Sequence, residues 1–205
     1  MRMRKKKHTE ERINQCVEYI FEANTDKTFT PVVLEIGCGK GDFICEAAKK
    51  FPGQKFIAVE KISDVIIAAI EKAKNENIQN LKFIISDAKD LEKFLPENSI
   101  NTIHLNFSDP WPKRYQHNKR LTSGEFLEVY KKIITIKANI ILKTDNRDFF
   151  DYSIKNLNLN NFNILNHTFD LYKSEFLDGN IQTEYEKKFI SQNIKICYLK
   201  AEYNT

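Results

Sequence analysis

Apolar residues recur along the chain with two rhythms, and the rhythms alternate. From 9 to 21 the spacing is helical: Thr9 stands where an N-cap belongs, Glu10 and Glu11 occupy the first turn, and Ile13, Cys16, Val17, Ile20 and Phe21 return on one face. A polar, turn-prone stretch from Asn24 to Pro31 follows. VVLEI at 32–36 is then a short β-branched run ending in glycines, and DFICEAAKKF after it is helical again. The alternation continues with KFIAVE (55–60) as a strand, a helix from Ser63 to about Lys74, and strands at LKFIIS (81–86) and INTIHLNF (100–107). EFLEVYKKI (125–133) reads as a helix, ANIILKT (138–144) as a strand and RDFFDYSIKNL (147–157) as a helix, with FNILNHTFD and IKICYLKAEY as the last strands. Strands separated by helices predict an α/β fold with a parallel sheet.

Composition narrows this little. At 205 residues the chain suits one core, so a basic N-terminal segment with its entry helix (1–30) is expected to precede a single domain at 31–205. With 41% hydrophobic and 29% charged residues it has the balance of a globular protein, and no apolar run approaches the ~20 residues a membrane span needs. MRMRKKKH lacks the apolar segment of a secretory signal, which makes the cytoplasm the expected location. The four cysteines form no CxxC pair and the four histidines are scattered, so no metal site is expected. Charge is informative where it clusters: Arg2, Arg4, Lys5, Lys6 and Lys7 at the start, and Lys113, Arg114, Lys119 and Arg120 in one loop. Such clusters are solvated surface or the footprint of a polyanion, and composition does not choose between the two.

Three of the six glycines, Gly37, Gly39 and Gly41, fall in EIGCGKG between the first strand and its helix. Glycines there allow a sharp turn and close approach to a ligand, although a tight βα turn alone would also use them. Glu60 ends the next strand, 19 residues after Gly41, where doubly wound folds hold a ribose hydroxyl. The G-x-G-x-G spacing differs from the G-x-G-x-x-G of pyrophosphate binders, and Glu35 before it would oppose a diphosphate. A carboxylate there suits a ligand with ammonium and sulfonium groups, as in S-adenosylmethionine. Asp87 closes the third strand, within reach of an adenine amino group. The acids at three successive strand ends face the crevice in which open α/β sheets bind ligands.

NFSDPWPKRYQHNKR (106–120) follows the fourth strand and brings Asp109 to the same edge. Pro110 and Pro112 fix two φ angles and restrict the residues before them, which holds Asp109 and Trp111. In EIGCGKG, NFSDPWPK, KTDNRDFFDYS (143–153) and TEYE (183–186), in that order and over nearly its whole length, the chain resembles the bacterial tRNA (guanine-N7)-methyltransferases, class I enzymes that use S-adenosylmethionine. The resemblance implies a seven-stranded, mostly parallel sheet flanked by helices, and as target the guanosine at position 46 of the tRNA variable loop. It implies that Glu35, Glu60, Asp87 and Asp109 are cofactor-site acids, with Gly37, Gly39 and Gly41 in the same site and Asp109 also catalytic. Lys113, Asp145 and Thr183, Glu184, Tyr185 and Glu186 match the substrate-contacting positions.

Arg114, Lys119 and Arg120, with the N-terminal run, are expected to grip tRNA phosphates; Trp111, Tyr115 or Tyr185 could stack on the base, and Thr183 and Glu186 are expected in a lid. TxYE alone also reads as an ordinary helix start. Tyr115, Gln116 and Asn118 depart from the family's basic loop, and Lys137, Ala138 and Asn139 replace its Pro-Gly turn. No obligate protein partner is expected, only a monomer or homodimer. An amino-group methyltransferase would place Asp or Asn, two prolines and an aromatic after the fourth strand, an order that Asp-Pro-Trp-Pro does not match. An RNA-binding module without turnover would not need every cofactor acid, and an NAD enzyme is disfavoured by Glu35 and the glycine spacing.

Overall fold

The computed structural model describes residues 8–21 and 33–204; the basic run at 1–7 and the turn-prone stretch at 24–31 lie outside the described residues. The described part begins with α1 (Thr9–Asn14) and continues β1 (Val33–Ile36), α2 (Asp42–Lys50), β2 (Phe56–Val59), α3 (Ser63–Asn75), β3 (Leu81–Ile84) and β4 (Ile100–Asn106). Then come α4 (Gly124–Ile133), β5 (Ile134–Thr144), α5 (Arg147–Leu159), β6 (Phe162–Thr168), α6 (Glu184–Ser191) and β7 (Cys197–Tyr203). The seven strands form one sheet in the order β3-β2-β1-β4-β5-β7-β6. The first five are parallel, and β7 runs antiparallel between β5 and β6.

Every residue of β1 and β2 is buried, because helices cover both faces of the sheet, and this is why these strands read as unbroken apolar runs. Alternation divides the core in two. Leu34, Ile57, Ile103 and Leu142 meet the α4–α5 side, whereas Val33, Phe56, Ala58 and Phe83 meet α2 and α3.

Three expectations need correction. The entry helix stops at Asn14, and a 3₁₀ turn at Val17–Tyr19 follows, leaving Val17 exposed. Ile20 bridges Phe83, and the Phe21 N–H donates to the Phe83 carbonyl, so this segment covers the open edge of β3. Pairing that edge outweighs the helical spacing. Thr9 is also no cap: it lies inside α1 and its hydroxyl donates to Asp64 on α3. Within the sheet, β5 begins four residues earlier than the apolar run suggested, and Lys137, in place of the family's Pro-Gly turn, takes φ 63° within it.

Candidate active site

The sheet register brings the carboxyl ends of β1, β2 and β3 level, since Ile36 pairs with Val59 and Val59 with Ile84. The glycine turn leaves β1 there, and the Gly37 and Cys38 N–H groups both donate to the Val59 carbonyl, at 2.7 and 3.1 Å. Gly37, Gly39 and Gly41 have φ of 78°, 57° and 78°, the left-handed region that side chains disfavour. Their surroundings differ. A Cβ on Gly37 or Gly39 would meet nothing within 4 Å, whereas one on Gly41 would lie 2.5 Å from Ala69 Cβ. Gly41 therefore lets α2 pack on α3, and only the other two leave open backbone for a ligand. Glu60 and Asp87, both half-buried, close the neighbouring strands: Glu60 accepts from Ile62 N–H and Asp87 from Lys89 N–H.

Glu35 is 2% exposed, and Asn106 Nδ2 donates to its Oε1 at 2.8 Å while Oε2 has no partner. Burial raises its pKa to about 7, against the pull of Asn106 and Lys143 and with a small push from Asp42. A buried carboxylate oxygen without a donor is costly unless a cation completes it. Beside it, the His104 ring meets that of Phe43 at a tilt, with centroids 4.7 Å apart, and burial together with Lys143 lowers its pKa to about 3, so it is neutral. A buried carboxyl with one free oxygen, open glycine backbone and two further acids fit a ligand that joins a cationic chain to a nucleoside.

β4 leads into the turn that carries Asp109. Phe107 and Trp111, on either side of it, have φ of 51° and 41°. Such values are exceptional for bulky side chains, and Trp111 departs from the extended form expected before Pro112. The Phe107 N–H donates to the Lys143 carbonyl at 2.8 Å, and its ring stacks on Tyr185 at 5.8 Å. Asp109 itself is exposed, as are Lys113, Arg114 and Lys119, with the Lys119 ammonium 4.9 Å from the Trp111 ring centroid. Arg120 is a correction to the expected phosphate set. It is only 2% exposed, and Nε donates to the Pro110 carbonyl at 2.8 Å. Its guanidinium lies 4.4 Å from the Tyr152 ring centroid on α5, turned inward where its exposed neighbours are not.

The TEYE stretch divides in two. Thr183 and Glu186 are buried and form a capping box at the start of α6: Glu186 N–H donates to Thr183 Oγ1 and Thr183 N–H to Glu186 Oε2. Glu186 also accepts from Lys143 Nζ at 2.7 Å, Asn180 Nδ2 and Tyr172 OH, which uses both of its oxygens. It therefore has no acceptor left for a substrate, and its expected role as a contact gives way to one as an anchor. Glu184 and Tyr185 are exposed, and Glu184 lies 3.4 Å from Lys40 of the glycine turn. Asp145, also exposed, follows β5 at the same edge. Sequence reading passed over Asn106, Lys143 and His104, although the signal was present: each is a polar residue directly after a buried apolar one in a strand.

A family model described as "Putative methyltransferase" matches residues 29–199. The tRNA (guanine-N(7)-)-methyltransferase of Mycoplasmopsis pulmonis is 38% identical over 205 residues, covering 99% of both chains. The enzyme of the same name from Lachnoclostridium phytofermentans is 42% identical, covering 83% of this chain and 80% of that one. Among solved structures, an antibiotic-related methyltransferase superposes with a TM-score of 0.60 at 16% identity, covering 100% of this chain and 97% of that one, a likeness of fold alone. With its seven-stranded sheet and the identity it shares along nearly its whole length with these relatives, the chain belongs to the bacterial tRNA (guanine-N7)-methyltransferase family.

Proposed function

We propose that the protein methylates N7 of the guanosine at position 46 in the tRNA variable loop, with S-adenosylmethionine as donor and Asp109 orienting the base. What supports the reading most is the pairing of two features at one sheet edge: an unpartnered oxygen on buried Glu35, and exposed Asp109 on a turn with left-handed residues to either side. Glu35 would hold the cationic end of the donor, Glu60 the ribose and Asp87 the adenine, with Gly37 and Gly39 letting the backbone come close. When bound, the donor supplies an electrophilic methyl group on a sulfonium.

Guanine N7 has a lone pair and no proton, so no base is needed before it attacks. As the N7–C bond forms, the C–S bond breaks and its electron pair goes to sulfur, leaving a neutral thioether and a cationic purine. Alignment then dominates, and fixing the reacting atoms contributes about 7–11 kcal/mol. Asp109 accepts from the N1 and N2 donors of guanine, turns N7 toward the methyl, and its charge favours the cationic product. The narrow major groove of folded RNA hides N7, so the base must leave its stack. Tyr185, exposed on α6 and backed by Phe107, offers a face to receive it.

The test is the single-turnover rate at saturating donor, with guanosine or inosine, which lacks the N2 donor, at the target position. Alignment predicts a loss of about 100-fold in Asp109→Ala, and a wild-type preference for guanosine over inosine that disappears in that variant. Equal wild-type rates on guanosine and inosine, or full activity in Asp109→Ala, would overturn the orienting role.

A further inference from the structure

The turn that presents Asp109 is held by a cation that nothing else in the molecule explains. Arg120 is 2% exposed, yet among the described residues it forms no ion pair with a carboxylate. Its partners are two carbonyls and two ring faces. Nε donates to Pro110 O at 2.8 Å and Nη2 to Trp111 O at 3.4 Å, while the guanidinium carbon lies 4.4 Å from the Tyr152 ring centroid and 5.7 Å from that of Phe149.

Those carbonyls belong to the peptide units on either side of the Trp111 Cα. A guanidinium that grips both fixes the backbone torsions of Trp111, the residue with φ 41°. Left-handed backbone at a bulky residue persists only where its surroundings enforce it. Burying a cation is also expensive, which a packing role alone would leave unexplained. The planar fork suits two neighbouring acceptors in a way an ammonium does not. The other end of the turn is fixed independently, by the Phe107 N–H on the Lys143 carbonyl.

We infer that Arg120 is a positioning residue for methyl transfer, locking the Pro110–Trp111 backbone so that Asp109 meets the guanine edge at a fixed height. The inference rests on the orienting role of Asp109 proposed above. It makes Arg120 different in kind from exposed Lys119 next to it, although the two are adjacent basic residues of one loop.

The experiment compares Arg120→Met, which keeps the contact with the rings, Arg120→Lys, which keeps the charge, Asp109→Ala, and Asp109→Ala combined with Arg120→Met. Single-turnover rate, the salt dependence of tRNA binding and the fluorescence of Trp111, the chain's only tryptophan, are read for each. Expected for Arg120→Met is a rate loss of about 100-fold, in line with a misplacement of about 1 Å, with an unchanged salt slope and a shifted Trp111 emission. Arg120→Lys loses rate as well and guards against a Met variant that fails to fold. The double variant should be no slower than Asp109→Ala. A salt slope reduced by about one would make Arg120 a phosphate ligand after all. Unchanged Trp111 emission, or rate losses that multiply in the double variant, would also overturn the inference. Full activity in Asp109→Ala would instead remove the orienting role itself, whereas loss in Asp109→Ala with full activity in Arg120→Met removes only the role of Arg120.

Discussion

Glu35 accepts from Asn106 with one oxygen and leaves the other without a partner, and this buried carboxyl sets a pH dependence. Its pKa in the folded protein, about 7, lies above the ordinary 4.5, so between those values the folded state holds a proton that the unfolded chain lacks. Stability of the free protein from this group is therefore largest below the ordinary value and declines as pH rises through about 7. Donor affinity runs the other way, because a cation favours the ionised form. Binding should strengthen as pH rises through about 7 and release a proton, while Glu35→Gln binds weakly with little dependence on pH. Calorimetry in two buffers of different ionisation enthalpy checks this; a flat affinity profile in the wild type would contradict it. The glycine turn allows a parallel test. Gly37→Ala should cost about 1–2 kcal/mol for its left-handed backbone and weaken donor binding. Gly41→Ala adds the overlap with Ala69 and should lower the melting temperature further.

Between elements, the decisive contact is the buried ion pair of Lys143 on β5 with Glu186 on α6, at 2.7 Å. Lys143 also donates to Asn180 and to the Ile181 carbonyl, so one ammonium fastens the whole approach to α6 onto the sheet. Burial lowers its pKa, and Glu186 and Glu35 act against that. Removing one partner strands the other charge, so Glu186→Ala should lose about 3–5 kcal/mol of stability by denaturant melts. Replacing both with apolar residues of similar volume should cost less; equal losses would show that the charges are not coupled. At this scale the sequence was legible wherever one rule dominated. Runs such as FIAV announced strands because both sheet faces are covered. α1 was over-read because its apolar spacing continues into residues that pair with the edge of β3. α6 could be seen only as a helix start at Thr183, and its attachment through Lys143 was hidden because the partners are 43 residues apart. Arg120 looked like its basic neighbours because local sequence does not reveal that its side chain turns inward onto α5.

Over the whole molecule, one sheet edge gathers Glu35, Glu60, Asp87, the Asp109 turn and Asp145, while Lys113, Arg114 and Lys119 stand exposed beside it. That gathering was legible from topology, since Glu35 lies near the end of β1, each of the other acids follows a strand, and parallel strands end on the same side. Which side chains remain free for ligands was not, because burial and pairing are properties of the folded chain. The exposed cations should report on tRNA: neutralising Lys119 or Arg114 should reduce the slope of log affinity against log salt by about one each, and an unchanged slope would exclude the residue from the footprint. The most direct test of the account is to incubate the protein with unmodified tRNA and a labelled methyl donor, then map the label by nuclease digestion and mass spectrometry. The account predicts 7-methylguanosine at position 46 alone, lost in Asp109→Ala. Label on an exocyclic amino group, or at another nucleotide, would contradict it.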